Sequence, residues 1–389
     1  MLALAMTNVS HEAVLGLDPQ QLTQPFHSAY LNRVVAPLGR WDSVWYLQIA
    51  THGYSSSLAS ENFFPLYPLL VHVVTWVVRV PLLAGALISI VCMLGALSLL
   101  HDLAVLDVGP AGARTAVVLV AVYPMSLFMS AAYTESLFLL VTIGCLYAAR
   151  TERWWLAGVS GALASATRSN GVLLLVPLLV LYLYGPRARD VDRHDARWWV
   201  PRYAVRADAA ALLLVPVGML AYMLYLQLLN GTPLEPLRAQ QVYWGHHFAG
   251  PFGAIVDALK ALPHDIDAVW THSGEHLVDA IDPVSWNGHA LIDLAFVPVA
   301  LWALVVGLRR VPVAYSLYSL ASLCVITSVP TVFEALQSFD RYTLSIFPLF
   351  IAAGGALATR PRARLATYLV CAGLLGVFTW LFATWAWVA

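Results

Sequence analysis

The sequence predicts an all-α, polytopic membrane protein with about ten transmembrane helices joined by short connections and two long loops. Three observations carry this. The 389 residues are 60% hydrophobic and only 11% charged, against about 25% charged in a soluble domain, and mean hydropathy is +0.72. Apolar runs of membrane length follow one another along most of the chain. The cations crowd onto alternate connections between those runs, as the positive-inside rule requires of a multi-pass protein.

Residues 1–81 read as a first extracytoplasmic loop. Its run 63–80 is apolar, but Pro65, Pro68, His72 and Arg79 interrupt it and Pro81 follows, so a helix lying at the interface is expected there rather than a crossing. Spans are then expected at 82–100, 115–131, 134–149, 154–167, 170–184 and 209–229. A second extracytoplasmic loop covers 230–288, and four further spans are expected at 289–308, 312–330, 344–358 and 365–388. Several fall short of the ~20 residues a straight crossing needs, which implies tilts or broken helices. In the second loop, Phe252, Ile255, Val256 and Leu259 stand at i, i+3, i+4 and i+7, the apolar stripe of a surface helix. The whole chain, 1–389, is one membrane domain, without a repeat of fixed period.

With residues 1–81 placed outside, the inner connections 101–114, 150–153, 185–208, 309–311 and 359–364 hold 14 of the 21 cations. All but Lys260 of these 21 are arginine, a bias that points to a bacterial origin and says nothing of mechanism. A net charge of −1 argues against nucleic acid as a partner. Cys92, Cys145, Cys324 and Cys371 lie within apolar runs and read as small buried hydrophobes. The histidines of the second loop match no tetrahedral ligand set beyond His272-x-x-x-His276, so no metal site is expected. MLALAM at the start is too short for a signal peptide.

The segment GRWDSVWYLQIATHGYSSSLASENFFPLYPLL, residues 39–70, holds the chemistry. Asp42 sits beside lipid, between Arg40 and a group of aromatics, where an ionised carboxylate without water or a partner is costly. The same topology sends other polar groups to the same side: Glu61 and Asn62, Glu135 in AAYTESLF, Arg168 and Asn170 in ATRSNG, and Asp340 and Arg341 in SFDRYTLSIFPLF. Their convergence would build a cavity open to the outer leaflet. Each has a plainer reading. Glu135 at a span boundary is satisfied by headgroup water, Arg168 by snorkelling to lipid phosphate, and Asp340 and Arg341 by each other. Trp41, Trp45 and Tyr46 fit an interfacial aromatic belt. Asp42 has the weakest plain explanation.

RWDSVWYLQIATHGY followed by FFPLYPLL resembles the first luminal loop of the PIG-V type mannosyltransferases, membrane glycosyltransferases of the GT-C class. AAYTESLF and ATRSNG resemble the next two blocks of that family, GTPLEPLRAQQVYW the opening of its large second loop, and FDRYTLSIFPLF its C-terminal block. Five blocks in order span residues 40 to 350. The family carries a span ahead of the RWD block, so the chain is expected to be shortened at its N-terminus. The resemblance implies transfer of mannose, with inversion, from a polyprenyl-phosphate donor to a glycolipid or glycan hydroxyl, on the extracytoplasmic face of a bacterial plasma membrane. It implies Asp42 as base, with Arg168, Arg341 and Arg40 for the departing phosphate. Trp41, Glu61, Glu135, Asn170, Gln240 and Asp340 are further substrate contacts. No cofactor is needed, since the donor carries its own leaving group. Two alternatives stay open: a GT-C transferase of another polyprenyl-phosphate sugar, and a polytopic glycolipid transporter.

Overall fold

The computed structural model describes residues 18, 20–54, 58–187, 200–272 and 286–388, and every described element is helical. A short helix α1 (Ala29–Val35) leads through a 3-10 turn, Ala36–Leu38, to α2 (Asp42–His52). Next comes α3 (Leu66–Val78), whose 13 residues reach about 20 Å, short of a ~30 Å hydrocarbon core. Its end follows from its sequence: Arg79 is left-handed at φ 67°, and Pro81 starts the next helix at a position where its missing N–H costs nothing.

The next stretch, α4 (Pro81–Val122), covers 42 residues as two helical segments that meet at a kink, Gly109, φ 70° and ψ 174°. The pair Gly109-Pro110 explains the break, because glycine alone takes that backbone freely and proline cannot continue the preceding ladder. Here the structure corrects the expected connection 101–114: the chain is helical there and breaks at one residue. The expected span 115–131 likewise stops at Val122, giving way to a 3-10 stretch, Pro124–Met129.

The chain continues through α5 (Glu135–Arg150), α6 (Trp154–Thr167), a 3-10 turn Ser169–Leu174 and α7 (Leu175–Tyr184). A second 3-10 stretch, Ala207–Leu214, meets α8 (Val217–Asn230) at a 45° bend, where Pro216 stands between them. Then follow α9 (Glu235–Tyr243), α10 (Gly253–His272), α11 (Trp286–Arg310), α12 (Val313–Thr327), the two-turn α13 (Phe339–Leu344), α14 (Phe347–Leu357) and α15 (Pro361–Ala383). Within α10, Ala254 and Ala258 are buried while Val256, Leu259 and Ile266 are exposed, the two-faced pattern expected of a helix resting on a surface. The expected last span, 365–388, ends early: α15 stops at Ala383, and Trp385, at φ 65°, turns the chain inward.

Among the described residues three helices are long and apolar enough to cross a membrane, Pro81–Val122, His289–Arg310 and Pro361–Ala383, with the bent pair Ala207–Leu214 and Val217–Asn230 as a fourth. Shorter apolar helices at Leu66–Val78, Ser169–Tyr184, Val313–Thr327 and Phe347–Leu357 pack among them. One continuous core, from Tyr46 and Tyr67 through Phe128, Phe138, Tyr315 and Phe347 to Phe382, joins α2 to α15. Close helix contacts are bought with glycine. A methyl group on Gly218 of α8 would lie 2.0 Å from the Ala162 carbonyl oxygen and 2.6 Å from the Ala166 nitrogen of α6. Both are helix backbone atoms that cannot turn aside. Gly218→Ala should therefore destabilise the protein by about 1–3 kcal/mol, read as a lowered melting temperature of the purified protein in detergent. An unchanged melting temperature would mean that the α6–α8 contact is looser than described.

Candidate active site

The site is assembled at the ends of elements remote in sequence. Asp42 opens α2, where a helix N-terminus favours a carboxylate. The residue before it, Trp41, has φ 52° and ψ −117°, a conformation that costs a non-glycine residue about 1–3 kcal/mol and persists only where its surroundings enforce it. They do so from both sides. The Trp41 indole N–H donates to the Ala386 carbonyl at 3.2 Å, and its ring lies 5.9 Å from Trp385 and 5.0 Å from Trp387. The Tyr133 hydroxyl donates to the Arg40 carbonyl at 2.9 Å, and the Ala132 N–H donates to the Leu38 carbonyl at 2.7 Å.

Around Asp42 two arginines share one glutamate. Arg341 Nη2 meets Asp42 Oδ2 at 2.9 Å, and its Nε lies 3.0 Å from Glu135 Oε1. Arg168 Nη2 meets the same Glu135 oxygen at 2.5 Å, and its Nε donates to Thr134 Oγ1 at 2.8 Å. Side-chain exposure runs from 1% at Glu135 through 7% at Arg341 and 15% at Arg168 to 20% at Asp42. Aromatic faces enclose the guanidiniums: Arg341 lies 5.1 Å from Phe128 and 5.3 Å from Tyr133, and Tyr342 lies beside both arginines. The turn carrying Arg168 depends on Gly171. A methyl group there would sit 2.4 Å from backbone atoms of Ala164 and Ser165, which accounts for the glycine after Asn170.

Asp42, Arg168 and Arg341 line a cavity of about 370 Å³ together with Tyr46, Asn170, Gln240, Trp244 and His246. Its wall also holds Met219, Met223, Leu237, Val325 and Ile326, so the space has a charged end and an apolar flank. His246 Nδ1 is 3.0 Å from the Val329 carbonyl. A carbonyl only accepts, so Nδ1 carries the proton and Nε2 is left as an acceptor in the neutral ring. Burial favours that neutral ring by pushing the His246 pKa down.

Of the ten residues singled out from the sequence, Asp42, Arg168, Asn170, Gln240 and Arg341 line this cavity; the others lie behind it. Arg40 is buried and spends its guanidinium on the Ala36, Gly39 and Ala383 carbonyls and on the face of Trp385, 4.7 Å away. Trp41 packs on the C-terminal tryptophans. Glu61 is buried, accepts from the Asn230 amide, and stands just before Asn62, Phe63 and Phe64 of the lining. Glu135 sits beneath the two arginines. Asp340 accepts the Arg341 N–H at 2.6 Å.

The plain readings of these groups are corrected. Glu135 faces protein rather than headgroup water, Arg168 pairs with it rather than snorkelling, and the Arg341 guanidinium pairs with Asp42 and Glu135 rather than with Asp340. Trp45 stacks on Phe63 at 5.9 Å, and the buried Tyr46 hydroxyl lies 3.3 Å from Thr134 Oγ1, so the supposed aromatic belt packs inward. Sequence reasoning did not single out Tyr342, Trp244, His246 or Trp387 as lining. Only the position of Tyr342, next to Arg341, signalled it. Among the described residues no group of three or more His, Cys, Asp or Glu is arranged to hold a metal ion. The His272–His276 spacing reaches beyond them.

Behind Arg341, helix α13 begins at Ser338, φ 62°, without a side-chain cap of its own. Asp293 of α11 supplies one from outside, accepting the Asp340 N–H at 2.9 Å. Crowding has a titration consequence. Burial, with Asp340 and Asp265 nearby, pushes the Glu334 carboxyl from 4.5 up to about 8. Between those values the folded chain keeps a proton that the unfolded chain has released, so stability is full below about 4.5 and is lost as pH rises through about 8. The melting temperature should therefore fall across that window, and Glu334→Gln, neutral throughout, should flatten the fall. Equal slopes in both proteins would contradict this.

Comparison with known proteins follows the same residues. The sequence model of the family described as mannosyltransferase (PIG-V) matches residues 1–227, more than half of the chain. GPI alpha-1,6-mannosyltransferase 2 of Mus musculus is 35% identical over 157 residues, 36% of this chain and 31% of that protein. The protein of the same name from Cricetulus griseus is 35% identical over 151 residues, 35% of this chain and 30% of its own length. The Homo sapiens protein of that name is 31% identical over 177 residues, 42% and 35% respectively. The chain thus matches about a third of the length of these curated relatives. No solved structure matches it. The blocks at Asp42, Glu135 and Arg168 all fall within residues 1–227, and on that match the chain belongs to the PIG-V mannosyltransferase family.

Proposed function

We propose that this protein transfers mannose from a polyprenyl-phosphate donor to a hydroxyl of a lipid-linked or glycan acceptor, with inversion, at the extracytoplasmic face of a bacterial plasma membrane. The observation that carries the proposal is one carboxylate, Asp42, facing a cavity beside two guanidiniums, Arg168 and Arg341. Family membership supports mannose as the sugar. The apolar flank of Met219, Met223, Leu237, Val325 and Ile326 supports a substrate with a lipid tail. Thirteen of the 21 cations lie on the expected inner connections 150–153, 185–208, 309–311 and 359–364 and support the outer face.

In this scheme Asp42 accepts the proton of the acceptor hydroxyl as its oxygen attacks the anomeric carbon. The bond from that carbon to the donor phosphate breaks on the opposite face, and the phosphate monoester leaves with the bonding pair. Arg168 and Arg341 lie where that charge grows, and preorganised donors of this kind in a water-poor site are strong electrostatic catalysts. Asn170, Gln240 and the free Nε2 of His246 are available to sugar hydroxyls, while Glu61, Glu135, Asp340, Arg40 and Trp41 act behind the wall. The two guanidiniums supply positive charge for the departing phosphate.

A positioned base is typically worth ~10²–10⁴ in rate. Membranes containing the wild-type chain, incubated with radiolabelled polyprenyl-phosphate-mannose, should pass label into extractable glycolipid or glycan, and Asp42→Asn should lower that rate by this factor. Asp42→Asn protein should keep its melting temperature to within a few degrees, since the amide retains one acceptor for Arg341. Turnover like wild type in a folded Asp42→Asn variant would sink the assignment. Label that crosses the bilayer without leaving its phosphate would identify a transporter instead.

A further inference from the structure

The two acids that share Arg341 differ in every respect that matters to a reaction. Asp42 faces the cavity and touches one guanidinium. Glu135 lies outside the lining, almost wholly buried, and touches two. A single oxygen, Glu135 Oε1, takes Arg168 at 2.5 Å and Arg341 at 3.0 Å, while Oε2 is buried without a hydrogen-bond partner. Thr134, the residue before it, holds Arg168 Nε at 2.8 Å. Residues 134 and 135 thus fix one arginine from residue 168 and another from residue 341 side by side, with both guanidiniums reaching the cavity wall.

We propose that Glu135 is the positioning residue of this site: it ties Arg168 and Arg341 into one paired-guanidinium clamp for an anionic phosphate, and keeps Arg341 in place when that phosphate draws it away from Asp42. Arg341 occupies Asp42 Oδ2 at 2.9 Å. The carboxylate oxygen that Arg341 occupies is not free to take a proton from an acceptor hydroxyl. An incoming phosphate offers Arg341 a second anion, and charge-assisted, bidentate contacts are what a guanidinium forms best. Asp42 is then released towards the acceptor hydroxyl. Glu135 Oε1 stays 3.0 Å from Arg341 Nε, whose N–H has no hydrogen-bond partner of its own, and the unused Oε2 gives that N–H an acceptor once Arg341 shifts towards the phosphate. Without Glu135, nothing would hold the Arg341 guanidinium beside that of Arg168, so the phosphate would be gripped out of line with the acceptor hydroxyl and Asp42.

This inference rests on the proposed phosphate-dependent reaction, and its test separates the two. The probe is farnesyl phosphate, a short polyprenyl phosphate, with binding followed by the fluorescence of the cavity tryptophans and turnover by label transfer from polyprenyl-phosphate-mannose. Glu135→Gln removes one negative charge from beside the clamp. It should bind farnesyl phosphate at least as tightly as wild type, yet turn over ~10²-fold more slowly, the usual cost of misplacing a group by about an ångström. Glu135→Asp keeps the charge on a shorter arm and should recover part of the rate. A substrate contact at Glu135 would instead weaken binding, and a purely structural role would lower binding, rate and melting temperature together. Any of these outcomes, or an unchanged rate in folded Glu135→Gln, overturns the proposal. If wild type binds farnesyl phosphate but transfers no mannose, the assigned reaction fails. The clamp then stands or falls on binding alone: it survives if Arg168→Ala and Arg341→Ala each lose at least tenfold in affinity while Glu135→Gln loses none, and it fails otherwise.

Discussion

Everything around the cavity is constrained by the burial of Glu135 between two arginines. Taking three charges out of water costs several kcal/mol per ion, and the cost is recovered only with good geometry and no partner missing. Residues 135, 168 and 341 must therefore arrive together or not at all. Each comes from a different turn between elements: the start of α5, the end of α6 and the short α13. With Asp42 ionised the four side chains sum to zero charge, a balance suited to a site enclosed by Phe128, Tyr133, Phe138 and Tyr342. Truncating Glu135 to alanine, unlike the amide substitution that keeps an acceptor in place, would strand two buried cations, typically a loss of 3–5 kcal/mol. The network thus ties α2, α5, the end of α6 and α13 to one another across the site.

The second constraint runs through the C-terminal tail. After α15 the chain turns in, and the carbonyls of Ala383 and Ala386 take the Arg40 guanidinium and the Trp41 indole. These contacts maintain the strained Trp41 that starts α2 at Asp42. A helix begun one residue earlier or later would rotate Asp42 by about 100° and take it off the cavity wall. Arg40 and Trp41 therefore matter to the site without facing it. They aim the residue that does.

Much of the helical outline was legible in the sequence, because apolar runs bounded by Gly, Pro and Arg carry their own limits. The run 154–167 coincides with α6, and 313–327 falls inside the expected 312–330. What misled was continuity. His101, Asp102, Asp107 and Arg114 look like a connection, but Arg150 pairs with Asp107 at 2.8 Å and the Tyr315 hydroxyl lies 3.2 Å from the same guanidinium nitrogen, so polar residues are accommodated inside a helix. The site was legible as a set of residues on one side and illegible as a set of pairs. Nothing in FDRYTL tells whether Arg341 pairs with its neighbour or with a carboxylate 299 positions away. Arg40, two residues away, offers Asp42 only a partial partner in the sequence. Side chains two apart at a helix start point different ways, and the distant Arg341 holds Asp42 instead.

Asp42 and Glu135 show how one side-chain chemistry divides into two tasks by placement alone. Both are carboxylates touching Arg341. Asp42 stands at a helix N-terminus on the wall of a cavity wide enough for a sugar, so its partner can be exchanged for a ligand at little cost in buried charge. Glu135 lies behind the wall and serves two cations at once, so exchanging either would strand an ion in an apolar cage. Environment sets such roles more firmly than residue type does, and paired titratable groups with unlike surroundings are where acid–base function is usually found. The network accordingly has one face that is free to react and one that is held fixed. Arg341 links the two, so charge bound at the cavity would act on Asp42 through the partner that Arg341 takes.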